Sequence, residues 1–383
     1  MKILFTSESV TQGHPDKVCD QIADNLLDAY LAGDPQSHVA CEVTAITDKV
    51  HVFGEITSKT PVNVEQVVRE TIRSIGYDVP GIGFDADTCE VTVNLHEQSP
   101  DINMGVSRHD PEEDGAGDQG MMFGFACRET PSLMPLPIEL AHALTVRLEK
   151  VRKEGIVPEL LPDGKAQVTV EYEDAHPVRV DTVVVSSQHT EAISQEKLKE
   201  RIIEEVIKKA IPADLMDEKT RFLINPTGRF LIGGPAGDSG LTGRKLVVDT
   251  YGGYAHHGGG AFSGKDASKV DRSGAYMARY LAKNVVAAGL ADRCEIQVSY
   301  AIGVAQPVSV LVNTYGTEKV PHEKIEALVR SVDMRPGAII RRFNLTSPCF
   351  ARVSCYGHFG SNAEDMPWEK TDLAEEWKQA ARA

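Results

Sequence analysis

The feature that most restricts the fold is a recurrence. One helix–hairpin–helix order runs through the chain three times, with hairpins beginning near residues 39, 167 and 295, about 128 residues apart. The first pass opens with residues 16–31, DKVCDQIADNLLDAYL, which set Val18, Ile22, Leu26 and Tyr30 on one helical face and stop at Gly33. The β-rich runs VACEVTAI and VHVFGEIT follow, broken at Thr47-Asp48-Lys49, which reads as a hairpin. Then VNVEQVVRETIRSIG places Val64, Val67, Val68, Ile72 and Ile75 on a second helical face. The second pass is a helix near 137–153, the runs QVTVEYED and VRVDTVVVS, and the helix KLKERIIEEVIKKAI. The third is a helix near 269–289, EIQVSYAIGV, SVLVNTYG and EKIEALVRSV. Order and spacing agree together, which argues against chance. Such units, each with a further strand before or after, predict an α+β protein of three similar domains, each a small sheet with helices on one face. No low-complexity tract separates them, so they are expected to pack tightly.

Composition narrows the function. The 383 residues suit two or three domains, and a 42% hydrophobic, 25% charged chain is not disordered throughout. Forty basic against 56 acidic side chains leave a formal charge of −16. That argues against a general nucleic-acid or anionic-membrane binder, because both need a broad positive surface. Any anion held here must be gripped by a local cluster of cations. The seven cysteines are scattered without a CxxC pair, so neither a disulfide framework nor a thiolate zinc site is indicated. The first residues turn polar too soon for a signal peptide, and no apolar run approaches the ~20 residues of a membrane span. A soluble protein of a reducing compartment, the cytoplasm, is expected.

That local cluster is visible. The window 233–264 holds 11 of the 32 glycines, and Arg229, Arg244, Lys245, Lys265 and Lys269 lie in or beside it. Glycine lets backbone amides approach a phosphate closely, so glycines interleaved with cations point to a polyphosphate ligand. Residues 259–266, GGAFSGKD, nearly match a phosphate-binding P-loop, but Asp266 stands where a magnesium-binding hydroxyl belongs and no buried strand leads in. Ser268 and Asp271 have the form of a capping box, so Asp271 has a structural reading of its own. Lys269, in a first helical turn, opposes the helix dipole, and a nearby anion would explain it.

A second focus is SVTQGHPDK. Pro15 suits the first helical position, with His14 just outside and Asp16 in the first turn. Amides at a helix start attract phosphate, His14 can donate to a phosphate-side oxygen, and Asp16 can hold magnesium. As single residues, both also read as ordinary cap chemistry. Acidic candidates are Asp118 in GAGDQG, Asp238 in GGPAGDSG, and Glu42 and Glu55 in the first hairpin, whose spacing leaves open whether they share a face. Residues 98–118 are polar and rich in turn formers, either an active-site lid or an interdomain linker.

Taken together, FTSESVTQGHPDKVCDQIAD, GEIT, GFDADTCEV, QSPDIN, GAGDQGMMFGFA, INPTGRFLIGGPAGDSGLTGRKLVVDTYGG, HGGGAFSGKDASKVDRS and YGHFG resemble the S-adenosylmethionine synthetase family from residue 5 to about 360. The resemblance implies three α/β-sandwich domains related by pseudo-threefold symmetry, with bounds expected at 1–100, 112–231 and 232–383, each a small mixed sheet with helices on one face. It implies ATP and L-methionine as substrates, two Mg2+ per site and K+ as cofactors, and homodimers with shared active sites that pair into homotetramers. Carried over by position, His14, Lys165, Arg244, Lys245 and Lys265 would contact the triphosphate and carry the catalysis. Asp163, Arg229, Phe230, Asp238 and Ala261 would be further nucleotide contacts. Asp16 and Asp271 would hold magnesium, and Glu42 potassium. Glu55, Gln98, Asp238 and Lys269 would bind methionine, Asp118 would lie near the adenosyl–methionine junction, and residues 98–108 would form a mobile loop. Gln12 departs from the Glu of many members, and Ser239 sits at a variable position.

Overall fold

The structure, a computed structural model, describes residues 2–97 and 114–382. Helix α1 (Pro15–Gly33) begins where His14 Nδ1 accepts the Asp16 N–H at 3.2 Å and Pro15 fills a position that needs no donor. Val18, Ile22, Leu26 and Tyr30 all lie buried on its inner face. The first hairpin is β2 (His38–Ile46) and β3 (Lys49–Thr57), which turn Val39, Cys41, Val43, Ala45, Val50 and Val52 inward. Their turn carries Asp48 at φ 55, a left-handed conformation that aspartate tolerates. Helix α2 (Val64–Ile75) is capped by Asn63, whose side chain accepts the Gln66 N–H.

The other strands are β1 (Lys2–Val10), β4 (Glu90–His96), β5 (Gly120–Cys127), β6 (Leu160–Glu173), β7 (His176–His189), β8 (Arg221–Ile224), β9 (Gly240–Leu241), β10 (Arg293–Tyr300) and β11 (Ser309–Asn313). The other long helices are α3 (Leu136–Lys153), α4 (Gln195–Ile202), α5 (Val270–Ala287) and α6 (His322–Arg330). They form three sheets: β4-β3-β2-β9, β1-β6-β7-β8 and β11-β10-β5. Each has a hairpin at its heart, and each sheet takes the strand beside that hairpin from another third of the chain. β1 pairs with β6, β5 with β10, and β9 with β2, all antiparallel. The loan is cyclic, first third to second, second to third, third to first. β4 and β8 add parallel to the far sides of the first two hairpins, whereas the sheet of the last hairpin is antiparallel throughout.

Helices α1 and α2 cover the first sheet, α3 the second, and α5 the third. The first and third sheets share one apolar core, and the second has its own, with Tyr254 packed against both. The helix predicted over 197–211 is α-helical to Ile202, widens into a π turn at Ile203–Ile207 and closes on a last α-helical stretch, Lys208–Ala210. The predicted strand EIQVSYAIGV ends at Tyr300. Among the described residues no helix is long and apolar enough to cross a membrane.

Candidate active site

The start of α1 gathers the first cluster. Asp16 is fully buried; its Oδ1 accepts the Leu241 N–H at 3.1 Å and lies 3.2 Å from Arg244 Nε, while its Oδ2 pairs with Lys245 Nζ at 2.5 Å. Because His14 Nδ1 accepts a backbone N–H, the ring proton belongs on Nε2. Burial, reinforced by the charges of Lys245 and Lys165, pushes the His14 pKa down to about 3. The ring is therefore a neutral donor at physiological pH. Asp163 stands at the start of the strand that carries Lys165; its Oδ2 accepts the Gly234 N–H at 2.8 Å, and its buried Oδ1 has no hydrogen-bond partner among the described residues. Burial raises the Asp163 pKa to about 6. Tyr77 ties the cluster together by donating to Gly13 O at 2.5 Å, with Gly234 packed against its hydroxyl.

The second cluster lies along the first sheet. Ala40 opposes Glu55 and Glu42 opposes Phe53, so Glu42 and Glu55 are diagonal neighbours on the sheet's outward face. This settles the question their spacing left open. Ala40 also bridges to Lys265, whose Nζ pairs with Asp271 at 2.6 Å. Burial raises the Glu42 pKa, and the Thr242 hydroxyl donates to its carboxylate. Asp118 sits on a segment whose Gly117 abuts Ser268 O and whose Gly120 faces Asp271.

The two clusters touch through Gly243. It has φ 73, and a Cβ there would stand 2.5 Å from that of Ala261, so only glycine lets the loops meet. His14, Asp16, Asp163, Lys165, Arg244 and Lys245 thus converge at one end, and Glu42, Glu55, Ala261, Lys265, Asp271 and Asp118 at the other.

Several candidates already have partners within the chain. Arg229 pairs with Glu191 at the surface, Phe230 accepts the His189 N–H and donates its own N–H to His189 Nε2, and Asp238 is exposed, accepting the Ser239 N–H. Glu55 pairs with His96 at 3.2 Å. Lys269 finds its anion inside the chain, Asp266 Oδ2 at 2.5 Å, so no external anion is needed to explain its position. The capping box does not form: Lys269 is the N-cap of α5, no side chain caps it, and the Ser268 N–H goes to Asp266. Gln98 and the 98–108 loop lie outside the described residues.

Among the described residues no group of three or more His, Cys, Asp or Glu side chains forms a metal cage. The oxygen donors present suit a hard cation all the same. Magnesium commonly takes one or two carboxylates and completes its shell with phosphate oxygens and water. Asp16 and Asp271 fit that pattern, each carboxylate now neutralised by lysine.

Sequence reasoning missed the other face of α1. Asp16, Asp20, Asp24 and Asp28 recur every fourth residue, and each accepts backbone N–H groups from the last third of the chain. The donors are Leu241, Gly243, Gly264, and the run Cys349, Phe350 and Ala351. Lys17, fully buried, pairs with Asp20 and Asp249. The signal was present in DKVCDQIADNLLD: acids at helical spacing beside an apolar stripe, where a solvated face would mix both signs.

The comparisons with known proteins agree along the whole chain. The models of the S-adenosylmethionine synthetase N-terminal, central and C-terminal domains match residues 2–100, 113–230 and 232–370. An S-adenosylmethionine synthase of Roseiflexus castenholzii is 58% identical over 394 residues, covering 99% of this chain and 97% of that protein. One of Clostridium botulinum is 57% identical over 389 residues, covering 99% of this chain and all of that protein.

Proposed function

The chain belongs to the S-adenosylmethionine synthetase family, which makes it an adenosyl-group transferase, and from that premise we propose how its own residues carry the reaction. The methionine thioether attacks C5′ of ATP and displaces the whole triphosphate. A thioether has no proton to lose, so no general base is required. The task is to align sulfur, carbon and leaving oxygen, and to neutralise charge that grows on the triphosphate.

His14, held neutral with its proton on Nε2, donates to the leaving oxygen. Lys165, Arg244, Lys245 and Lys265 take up the triphosphate charge. Asp163, Arg229, Phe230, Asp238 and Ala261 hold the nucleoside side, and the unpartnered Asp163 Oδ1 is an acceptor ready for it. Lys269 faces the methionine carboxylate, Glu55 and Asp238 its ammonium, with Gln98 beside them and Asp118 near the new sulfonium. Two magnesium ions, held at Asp16 and Asp271, would neutralise triphosphate oxygens when bound, and a potassium ion would sit at Glu42. The displaced triphosphate, still bound, is then hydrolysed by a water molecule to pyrophosphate and phosphate within the same cationic cradle.

The observation that carries this reading is the pairing of a neutral imidazole donor with flanking lysines at the mouth of α1. The enzyme is proposed to act as a homodimer with shared active sites, two dimers forming a tetramer. The outward sheet faces, which expose Leu4, Met121, Leu223 and Leu311, support self-association. A cytoplasmic setting is supported by cysteines that are all free. We take the domain bounds as 1–100, 112–231 and 232–383.

Incubation with ATP, methionine and magnesium tests the reading. The expected products are a sulfonium compound, pyrophosphate and phosphate. Release of the γ-phosphate alone would mean a P-loop-type ATPase, and ATP binding without methionine-dependent turnover would mean a non-catalytic nucleotide binder.

A further inference from the structure

We propose that Asp24 and Arg272 form a positioning pair for Lys265, a role that rests on the reading of Lys265 as a triphosphate contact. Both side chains are fully buried. The Arg272 guanidinium donates to both Asp24 oxygens, at 2.7 and 2.8 Å, and through Nε to the Tyr276 hydroxyl at 2.9 Å. Its Nη1 also reaches Phe262 O at 3.0 Å and Lys265 O at 3.3 Å. Asp24 Oδ1 in turn accepts the Gly264 N–H at 2.9 Å. One ion pair therefore grips the 262–265 turn by three backbone atoms, two carbonyls and an amide, on both sides of the Lys265 Cα.

The chain gains little stability from such an arrangement. Desolvating a carboxylate and a guanidinium costs about what their attraction returns, and apolar packing would serve a core as well. What the pair provides is geometry. Lysine hangs its charge on a flexible four-carbon stem, so the ammonium is placed only if the Cα is fixed and the far end is aimed. The clamp fixes the Cα, and Asp271, next to Arg272 in the first turn of α5, holds Nζ at 2.6 Å. Thus one helix start supplies both the restraint and the aim. Asp24 connects this end of the site to α1, two turns and ~12 Å along the helix from Asp16. Asp16, Asp20 and Asp24 thereby tie the loops bearing Arg244, Lys245 and Lys265 to one rigid rod.

The test is a double-mutant cycle on the full-length enzyme. Asp24→Asn is expected to lower kcat about 10- to 100-fold, the scale of a ~1 Å misplacement, with less than about threefold change in KM for ATP. In the Lys265→Ala background the same substitution should cost nothing further, because it acts through a side chain already gone. Glu369→Gln is the control: it also removes a buried carboxylate paired with an arginine of α5, but one, Arg279, that grips residues 125, 132 and 133. It should lower Tm and leave kcat unchanged. If Asp24→Asn does not fold, Arg272→Lys, which keeps the charge and loses the fork, enters the same cycle.

A slow Lys265→Ala enzyme slowed again, to the full extent, by Asp24→Asn would overturn the positioning role alone. So would a Glu369→Gln enzyme as slow as Asp24→Asn. Near-normal turnover by Lys265→Ala would instead remove the reading of Lys265 on which the pair depends.

Discussion

Replacing His14 by asparagine isolates one atom. The native ring has two roles: Nδ1 caps α1 by accepting the Asp16 N–H, and the proton this leaves on Nε2 is the proposed donor to the leaving oxygen. Asparagine is among the best N-cap residues, so the cap should survive to within a few tenths of a kcal/mol and the melting temperature should barely move. What disappears is the Nε2 donor. Losing a donor aimed at developing oxyanion charge costs ~2.7–4 kcal/mol, a fall of about 100- to 1,000-fold in kcat/KM. The pH dependence is the sharper part. With the pKa pushed down to about 3 by burial, Lys245 and Lys165, the free enzyme at pH 6 holds the ring neutral by a factor of about 1,000. Since kcat/KM reports the free enzyme, the ratio of wild type to His14→Asn should stay flat between about pH 6 and 9. Sulfonium formation at low ATP, measured side by side, supplies that ratio, and the titration of ATP itself cancels. A ratio climbing as pH falls through about 6.5 would mean that His14 works as a cation, and a ratio near one would mean that it does not touch the leaving group.

Lys265→Ala should slow both sulfonium formation and triphosphate cleavage by ~100-fold or more; normal rates of both would remove Lys265 from the cradle. Acid should destabilise the fold between pH 6.5 and 5. Burial holds His14, His142 and His358 neutral with pKa values driven down, so each takes up a proton only on unfolding and costs ~2 kcal/mol at pH 5. Asp20 and Asp163, raised by burial to about 6, and Asp28, Glu42 and Asp249, also raised by burial, bind protons in the folded state and offset part of that cost. Urea midpoints at pH 7.5 and 5 measure it, and equal midpoints would contradict the sign. Gly264→Ala places a Cβ 2.0 Å from Cys41 O at φ 81, so the turn must shift and turnover should fall ~10-fold or more; an unaffected rate would show that the turn's register is immaterial. Chelation should abolish turnover until magnesium is returned, and activity that survives it would free Asp16 and Asp271 from metal duty.

Much of this was legible beforehand, for stated reasons. Helix α1 and the first hairpin announce themselves because their apolar periods, about four and two, are undisturbed from Val18 to Tyr30 and from Val39 to Val52. The glycine and lysine loops stand out against an acidic background. What could not be read was everything that depends on partners distant in sequence. Pairing of β9 with β2 rests on two residues, too short a strand for any periodic signal. The capping box at Ser268 matched a local rule, but Asp266 captured both the Ser268 amide and the Lys269 ammonium, and tertiary chemistry won. Asp20 and Asp24 acquire their partners only from the loops that cover them, at Gly243 and Gly264.

The borrowed strands set a timetable for synthesis. The opening strand, residues 2–10, finds its neighbour only when the segment ending at Glu173 has left the ribosome, and the first hairpin gains its last edge only with Leu241. Neither early sheet can close while its own third is the only one available, so nascent edges stay open to wrong pairing for most of translation. Fragments cut at the apparent seams should aggregate rather than fold. Co-expressed thirds, by contrast, could complement one another, each supplying the ribbon the next one lacks.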